Sequence, residues 1–231
     1  MSEAIMVQNL SLTIKGSEIL KSITHSFERG KIHGLIGRNG SGKTMLMKCI
    51  CGFVKPTSGE IIVDEKRVGK DCDFPENIGI IIEAPGFIPY YSGFHNLKLL
   101  AGLNRRIDSD RIKESMQKVG LNPNLKLQVR KYSLGMRQRL GLAQAIMENP
   151  DFLILDEPMN GLDKDGVADM RRYLLELKEQ GKECCQVLSR IKGCNSSFIQ
   201  RQPVYKRKVQ RRTETRRICS KHEQYRRTMS R

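Results

Sequence analysis

A chain of 231 residues has room for one large domain or two small ones around a substantial core. Its formal net charge of +16 would point to nucleic acid or an anionic surface, but residues 182–231 hold 15 Lys and Arg against 3 Asp and Glu, while residues 1–181 hold 26 against 22, so the excess belongs to the tail. No apolar run approaches the ~20 residues of a membrane span, no secretory leader opens the chain, and seven cysteines without zinc-ligand spacing read as reduced cytosolic thiols.

In chain order, residues 4–14 alternate as an edge strand does, and 20–27 follow as a second strand. Ile32–Gly37 is a short apolar run ending in glycine, and Met45, Leu46, Cys49 and Ile50 then recur at helical spacing. Strand, glycine loop and helix in that order form a βα unit of a parallel sheet. Residues 59–64 and 78–82 supply further strands. From Phe94 to Gly120 the pattern turns helical, with Leu97, Leu100 and Leu103 on one side and then Ile112, Met116 and Val119. Ser133–Glu148 is an amphipathic helix with Met136, Leu140, Ala143 and Met147 inward. Asp151–Pro158, DFLILDEP, is a buried strand ending in carboxylates, and Gly166–Gln180 is a helix that Gly181 ends.

Gly37-Arg38-Asn39-Gly40-Ser41-Gly42-Lys43-Thr44 satisfies G-x-x-x-x-G-K-[ST] in the strand–loop–helix setting that motif requires. Its glycines let the backbone curl so that successive N–H groups face phosphate oxygens, and the helix behind adds its positive N-terminal end. Lys43 is placed to reach β- and γ-phosphates, and the Thr44 hydroxyl to ligate Mg²⁺. The competing reading is a glycine-rich turn with an incidental lysine. In FLILDEP, four apolar residues set Asp156 at the carboxyl end of a buried strand, where open α/β sheets bind ligands. A carboxylate there serves Mg²⁺, and Glu157 beside it is placed to orient an attacking water. Two acids opening a turn before Pro158 is the plainer alternative.

Lys131–Asp163, KYSLGMRQRLGLAQAIMENPDFLILDEPMNGLD, makes the pattern specific: residues 1–180 resemble an ATP-binding cassette (ABC) transporter ATPase. Ser133-Leu134-Gly135-Met136 stands where that family has its signature turn, and Asn160-Gly161-Leu162-Asp163 resembles its D-loop. The resemblance implies an α/β fold: a P-loop NTPase core with a mostly parallel central sheet, N-terminal antiparallel strands and a helical subdomain at about 87–135. It implies ATP and Mg²⁺ as cofactors, Glu157 and Lys43 as catalytic residues, and Ser133 and Gly135 acting on the nucleotide of a second cassette in a head-to-tail dimer. It also implies transmembrane permease subunits as partners and a place on the cytoplasmic face of the membrane. Ser133 as a helix cap and nothing more is the competing reading.

Three departures from the family pattern matter. Glu83 stands where the Q-loop glutamine is usual, and with the following Pro-Gly-Phe it is similar to cassettes that export, or give immunity to, bacitracin-like and lantibiotic peptides. Glutamate there is an additional candidate for approaching Mg²⁺ or the attacking water; an exposed loop acid is the alternative. Ile14 stands where an aromatic residue stacks on adenine, and it offers apolar contact without a π-face. Leu134 and Met136 replace a glycine and the glutamine of the commonest signature.

The resemblance stops at 181. The family's switch histidine falls near 188–190, where this chain has Leu188-Ser189-Arg190, and no later family strand is visible. His25, His33, His95 and His222 are too far away to replace it. Residues 182–231 are thus an atypical basic tail with three readings: a solvated tail, a binder of anionic lipid or nucleic acid, or the product of a shifted reading frame. For the third, LSRIKGCNSSF has a permitted coding whose next frame reads Cys-His-Val-Leu-Lys-Asp-Val-Ile-Ala-Leu, which restores a histidine. The chain is expected to be the ATPase subunit of a bacterial exporter. The alternatives are a non-transport cassette acting on nucleic acid through its tail, and a truncated cassette that binds ATP without efficient turnover.

Overall fold

The computed structural model describes residues 3–83, 86–104, 107–179, 183–188 and 200–203. Two sheets organise them. The first is antiparallel and built from β1 (Glu3–Ile14), β2 (Ser17–Glu28), β4 (Ser58–Val63) and β5 (Lys66–Arg67), in the order β2-β1-β4-β5. The second is parallel, from β3 (Ile32–Ile36), β6 (Ile78–Ile81), β7 (Phe152–Asp156), β8 (Glu183–Leu188) and β9 (Gln200–Pro203), in the order β6-β7-β8-β3-β9. Five α-helices accompany them: α1 (Lys43–Ile50), α2 (Gly93–Asn104), α3 (Ser109–Lys118), α4 (Leu134–Ile146) and α5 (Lys164–Glu179).

β7 shows why this sequence makes a two-faced sheet. Its four apolar residues are all buried, and successive side chains point to opposite sides. Phe152 and Ile154 join a core with Leu46, Met47 and Ile50 of α1 and with Leu10 and Leu20 of the antiparallel sheet. Leu153 and Leu155 join the other core, with Leu97, Ile112, Met116, Leu140 and Leu174 from the helices. The strand is clamped between both cores, and Asp156, at its end, is the first residue to escape full burial.

Four expectations change. β1 is interior to its sheet, because β4 pairs along it from Ile5↔Val63 to Ser11↔Ser58 and leaves β2 at the edge. The helical stretch 94–120 is two helices. α3 starts at an Asp108 cap whose side chain accepts from Arg111 N at 2.9 Å, and it ends at Lys118, with Gly120 just beyond at φ 72°. Leu103 does not share a face with Leu97: at 100° per residue the two lie about 120° apart, and Leu103 is 79 % exposed while Leu97 is buried. Finally, two strands exist beyond residue 181. β8 fills the space between β7 and β3, with Leu153↔Cys184 on one side and Ile36↔Leu188 on the other, and β9 pairs beyond β3. β8 thereby completes the parallel order between β7 and β3. Of the expected tail, residues 182, 189–199 and 204–231 lie outside the described residues, and with them Ser189 and Arg190 of the switch position. No helix among the described residues is long and apolar enough to cross a membrane.

Candidate nucleotide site

The loop from Gly37 to Gly42 links β3 to α1. Gly42 has φ 93°, and a Cβ there would sit 2.7 Å from Leu20 Cδ2 and 3.1 Å from the Ile19 carbonyl, so only glycine lets the loop close against β2. Ser41 N donates to Arg38 O at 3.1 Å and Leu46 N to Gly42 O at 2.8 Å, which starts the helix directly beneath the loop. Arg38, Asn39 and Gly40 form its exposed crown. The first turn of α1 carries no acid and no side-chain cap, so its positive end is not neutralised locally.

Lys43 is buried, and its Nζ donates to Gly37 O at 2.8 Å and Arg38 O at 3.0 Å. The ammonium is therefore tethered inside the curve of the loop, with a third N–H to offer. Thr44 Oγ1 donates to Asp156 Oδ2 at 2.7 Å, joining the start of α1 to the end of β7. Burial pushes the Asp156 carboxyl above the ordinary value. The Thr44 bond opposes the shift, the charges of Glu157 and Glu83 add to it, and Lys43 counteracts them. Glu157 occupies the left-handed region at φ 48°. Asn160 holds it twice, by a side-chain amide bond to Oε2 and by its backbone N–H to the Glu157 carbonyl at 3.0 Å.

Lys43, Thr44, Asp156 and Glu157 thus converge where β3 and β7 leave the sheet. Glu83 stands just beyond β6, next to β7, with its carboxylate on Lys48 Nζ at 2.6 Å. Ser133 and Gly135 belong to a different surface. Ser133 Oγ caps α4 by accepting from Met136 N at 3.1 Å, and a Cβ on Gly135 would come within 3.1 Å of Gly161 O. The signature turn packs on the Asn160–Asp163 loop, and among the described residues it shares no hydrogen bond with the phosphate loop. Ile14, at the end of β1, is half-exposed. His33 is a core residue whose Nε2 accepts from Glu28 N at 3.1 Å, and burial lowers its pKa. Cys49 and Cys51 are buried thiols pushed up to about 11 and about 12 by burial, hence inert.

Sequence reasoning missed Lys48 and Arg139, and it named Asn160 without its role. Lys48 and Asn160 grip the two glutamates. Arg139 ties the helices to the D-loop: its Nη1 donates to Val119 O at 2.9 Å, and its guanidinium lies 3.7 Å from Asp169 and 4.0 Å from Asp163. Only Lys48 carried a local signal, since it stands four residues after Thr44 on the same helix face.

The arrangement fits a nucleoside triphosphate with Mg²⁺. Ser41 Oγ is buried with no hydrogen-bond partner among the described residues, a donor kept for phosphate oxygen. The Thr44 hydroxyl and the Asp156 carboxylate are the oxygen ligands a hard dication takes. Fold and site together define a nucleotide-binding protein of the phosphate-loop class.

Comparison with known proteins narrows the class. The ABC transporter family model matches residues 20–160, and the chain belongs to that family of transport-coupled, ATP-binding proteins. Over 177 residues it is 44 % identical to the uncharacterized ABC transporter ATP-binding protein YybJ of Bacillus subtilis, covering 77 % of this chain and 81 % of that protein. It is 36 % identical over 181 residues to the bacitracin transport ATP-binding protein of Enterococcus faecalis, covering 78 % of this chain and 59 % of that one. With the lantibiotic transport ATP-binding protein of Streptococcus pyogenes the identity is 37 % over 177 residues, covering 77 % and 76 %. A dimeric cassette in a post-hydrolysis state with ADP and Pi shares the fold, at a TM-score of 0.71 and 23 % identity over 79 % of this chain and 87 % of that one.

Proposed function

We propose that this chain is the ATP-hydrolysing subunit of a bacterial exporter for bacitracin-like or lantibiotic-like peptides, acting as a pair of cassettes on the cytoplasmic face of a membrane permease. The observation that carries it is the Lys43–Thr44–Asp156 constellation, which supplies a cation for phosphate and an oxygen pair for metal within one hydrogen-bonded unit. The relatives' names are those of transporter components, which favours this reading over action on nucleic acid.

The loop N–H groups and Lys43 bind and orient the β- and γ-phosphates, while Thr44 and Asp156 hold Mg²⁺. Mg²⁺ held there would supply positive charge against the phosphate oxygens. Glu157, once turned from Asn160, orients water toward the γ-phosphate and accepts its proton. Glu83, on the neighbouring strand end, assists on the metal or water side. Ser133 and the N-terminal end of α4 present donors to the γ-phosphate held by the other cassette. Ile14 gives the base an apolar contact.

The permease reading draws support from a cleft of about 670 Å³ along the β6 edge, lined by Phe53, Phe74, Ile82, Leu100 and Leu103, with Glu83 on its wall. Phe53 and Phe74 are more than half exposed there, the kind of apolar surface a partner covers. A permease segment seated in this cleft would sense the Glu83 loop directly.

The strand that precedes the switch position, β8, ends beside Ile36 at the root of the phosphate loop, and the residues after it are Ser189 and Arg190, with no histidine. Turnover of this chain is therefore expected to be slow while binding persists. The test is phosphate release by the chain reconstituted with its permease in vesicles. Peptide-stimulated release abolished by Glu157→Gln supports the reading, and an intact complex in which that variant hydrolyses ATP normally contradicts it.

A further inference from the structure

Thr44 and Lys48 stand one turn apart on the same face of α1, and each engages a carboxylate that leaves the parallel sheet at its C-terminal edge. Thr44 Oγ1 holds Asp156 at the end of β7 at 2.7 Å. Lys48 Nζ holds Glu83, two residues beyond β6, at 2.6 Å. β6 and β7 are neighbours with Ile81 opposite Leu155, so the two acids emerge side by side.

The two partners of the ion pair are unequal. The Lys48 side chain is 22 % exposed and packed on the helix, whereas that of Glu83 is 64 % exposed on a loop. Glu83 also holds a left-handed φ of 65°, a conformation unfavourable for a residue with a Cβ and kept only where contacts fix it. Lys48 is the fixed member and Glu83 the movable one. The same glutamate lies on the wall of the cleft below β6, so anything entering the cleft bears on the pair.

We propose that Lys48 is a positioning residue that withholds Glu83 from the metal side of the nucleotide site, so that this acid reaches the magnesium–phosphate region only when the ion pair opens. The proposal rests on the assignment of Glu83 to the nucleotide site. Without Lys48, the acid beside Asp156 has no fixed cation to hold it back, and a bound dication becomes its strongest nearby attractor.

The test is calorimetric ATP binding to the full chain with Mg²⁺ and again with EDTA, the ratio of the two affinities giving the metal-dependent increment. Lys48→Met is expected to raise the increment about threefold to fivefold, the scale of an exposed ion pair, and Lys48→Arg to keep it at the wild-type value. In a Glu83→Gln chain, Lys48→Met is expected to change nothing. An unchanged increment in Lys48→Met, or the same rise in the Glu83→Gln background, overturns the proposal, because Lys48 would then not act through Glu83. The role of Glu83 in hydrolysis fails separately: Glu83→Ala with unaltered turnover removes that role while a raised increment in Lys48→Met still upholds the positioning.

Discussion

The phosphate loop and the signature turn are both helix N-termini with no acid in the first turn, and the chain treats them differently. Around α1 the surrounding groups are internal. Lys43 is buried on two loop carbonyls, Thr44 is bound to Asp156, and Gly42 is pressed against β2. Around α4, Ser133 satisfies one backbone N–H, Leu134 is 63 % exposed, and the turn rests on the Asn160–Asp163 loop. One half of the site is finished by its own chain and the other is presented outward. On the proposed reading a second cassette completes it, so the difference separates binding from closure.

That comparison can be broken in several places. The largest effect is expected for Lys43→Ala, which removes the buried cation. Equilibrium dialysis with labelled ATP should show affinity falling roughly a hundredfold, the scale of truncating one partner of a buried charged contact. Next comes Gly42→Ala, which puts a Cβ at φ 93° and 2.7 Å from Leu20 Cδ2. Thermal unfolding should report a loss of roughly 1–3 kcal/mol, with ATP binding weakened in parallel. Ser133→Ala loses the α4 cap and should cost about 1 kcal/mol in the same assay. It should leave ATP affinity of the single chain unchanged, which sharpens the contrast with Lys43.

The smallest effect expected is on stability at Asp156. Its folded-state pKa is raised, chiefly by burial. The neutral form is therefore favoured by folding, and stability is lost as pH rises from the ordinary carboxylate value through the raised one. Asp156→Asn should make the nucleotide-free protein more stable at neutral pH than the wild type, and the gain should vanish as pH falls below the ordinary carboxylate value. Melting curves across that range check the sign, and the same variant should lose the Mg²⁺-dependent part of ATP binding.

How far the sequence announced this structure depends on how local each feature is. The phosphate loop was legible because the curl needs glycines at fixed positions, and β7 was legible because burial on both faces leaves an unbroken apolar run before Asp156. β1 was misread as an edge because edge status belongs to its pairing with β4, some fifty residues away. β8 was not seen because six residues without a helical or alternating period, set before a basic stretch, carry no signal that a strand stands between β7 and β3. A spacing of three groups Leu103 on one side with Leu97, but each such step falls about 60° short of a full turn, so two steps carry it away from that face. The grips of Lys48 on Glu83 and Asn160 on Glu157 show why residue roles outrun motifs: a motif gives the acid, and the fold decides what holds it.

The most direct test mixes two defective chains. Lys43→Ala removes the finished half-site and Ser133→Glu blocks the open one, so neither chain alone should trap ATP in a dimer. Mixed together, the phosphate loop of the Ser133→Glu chain meets the intact signature turn of the Lys43→Ala chain. Trapping of labelled ATP, followed by size-exclusion chromatography with light scattering, should then show a dimer retaining one nucleotide. A mixture that traps no more ATP than the two chains measured separately would contradict completion of the site by a second copy.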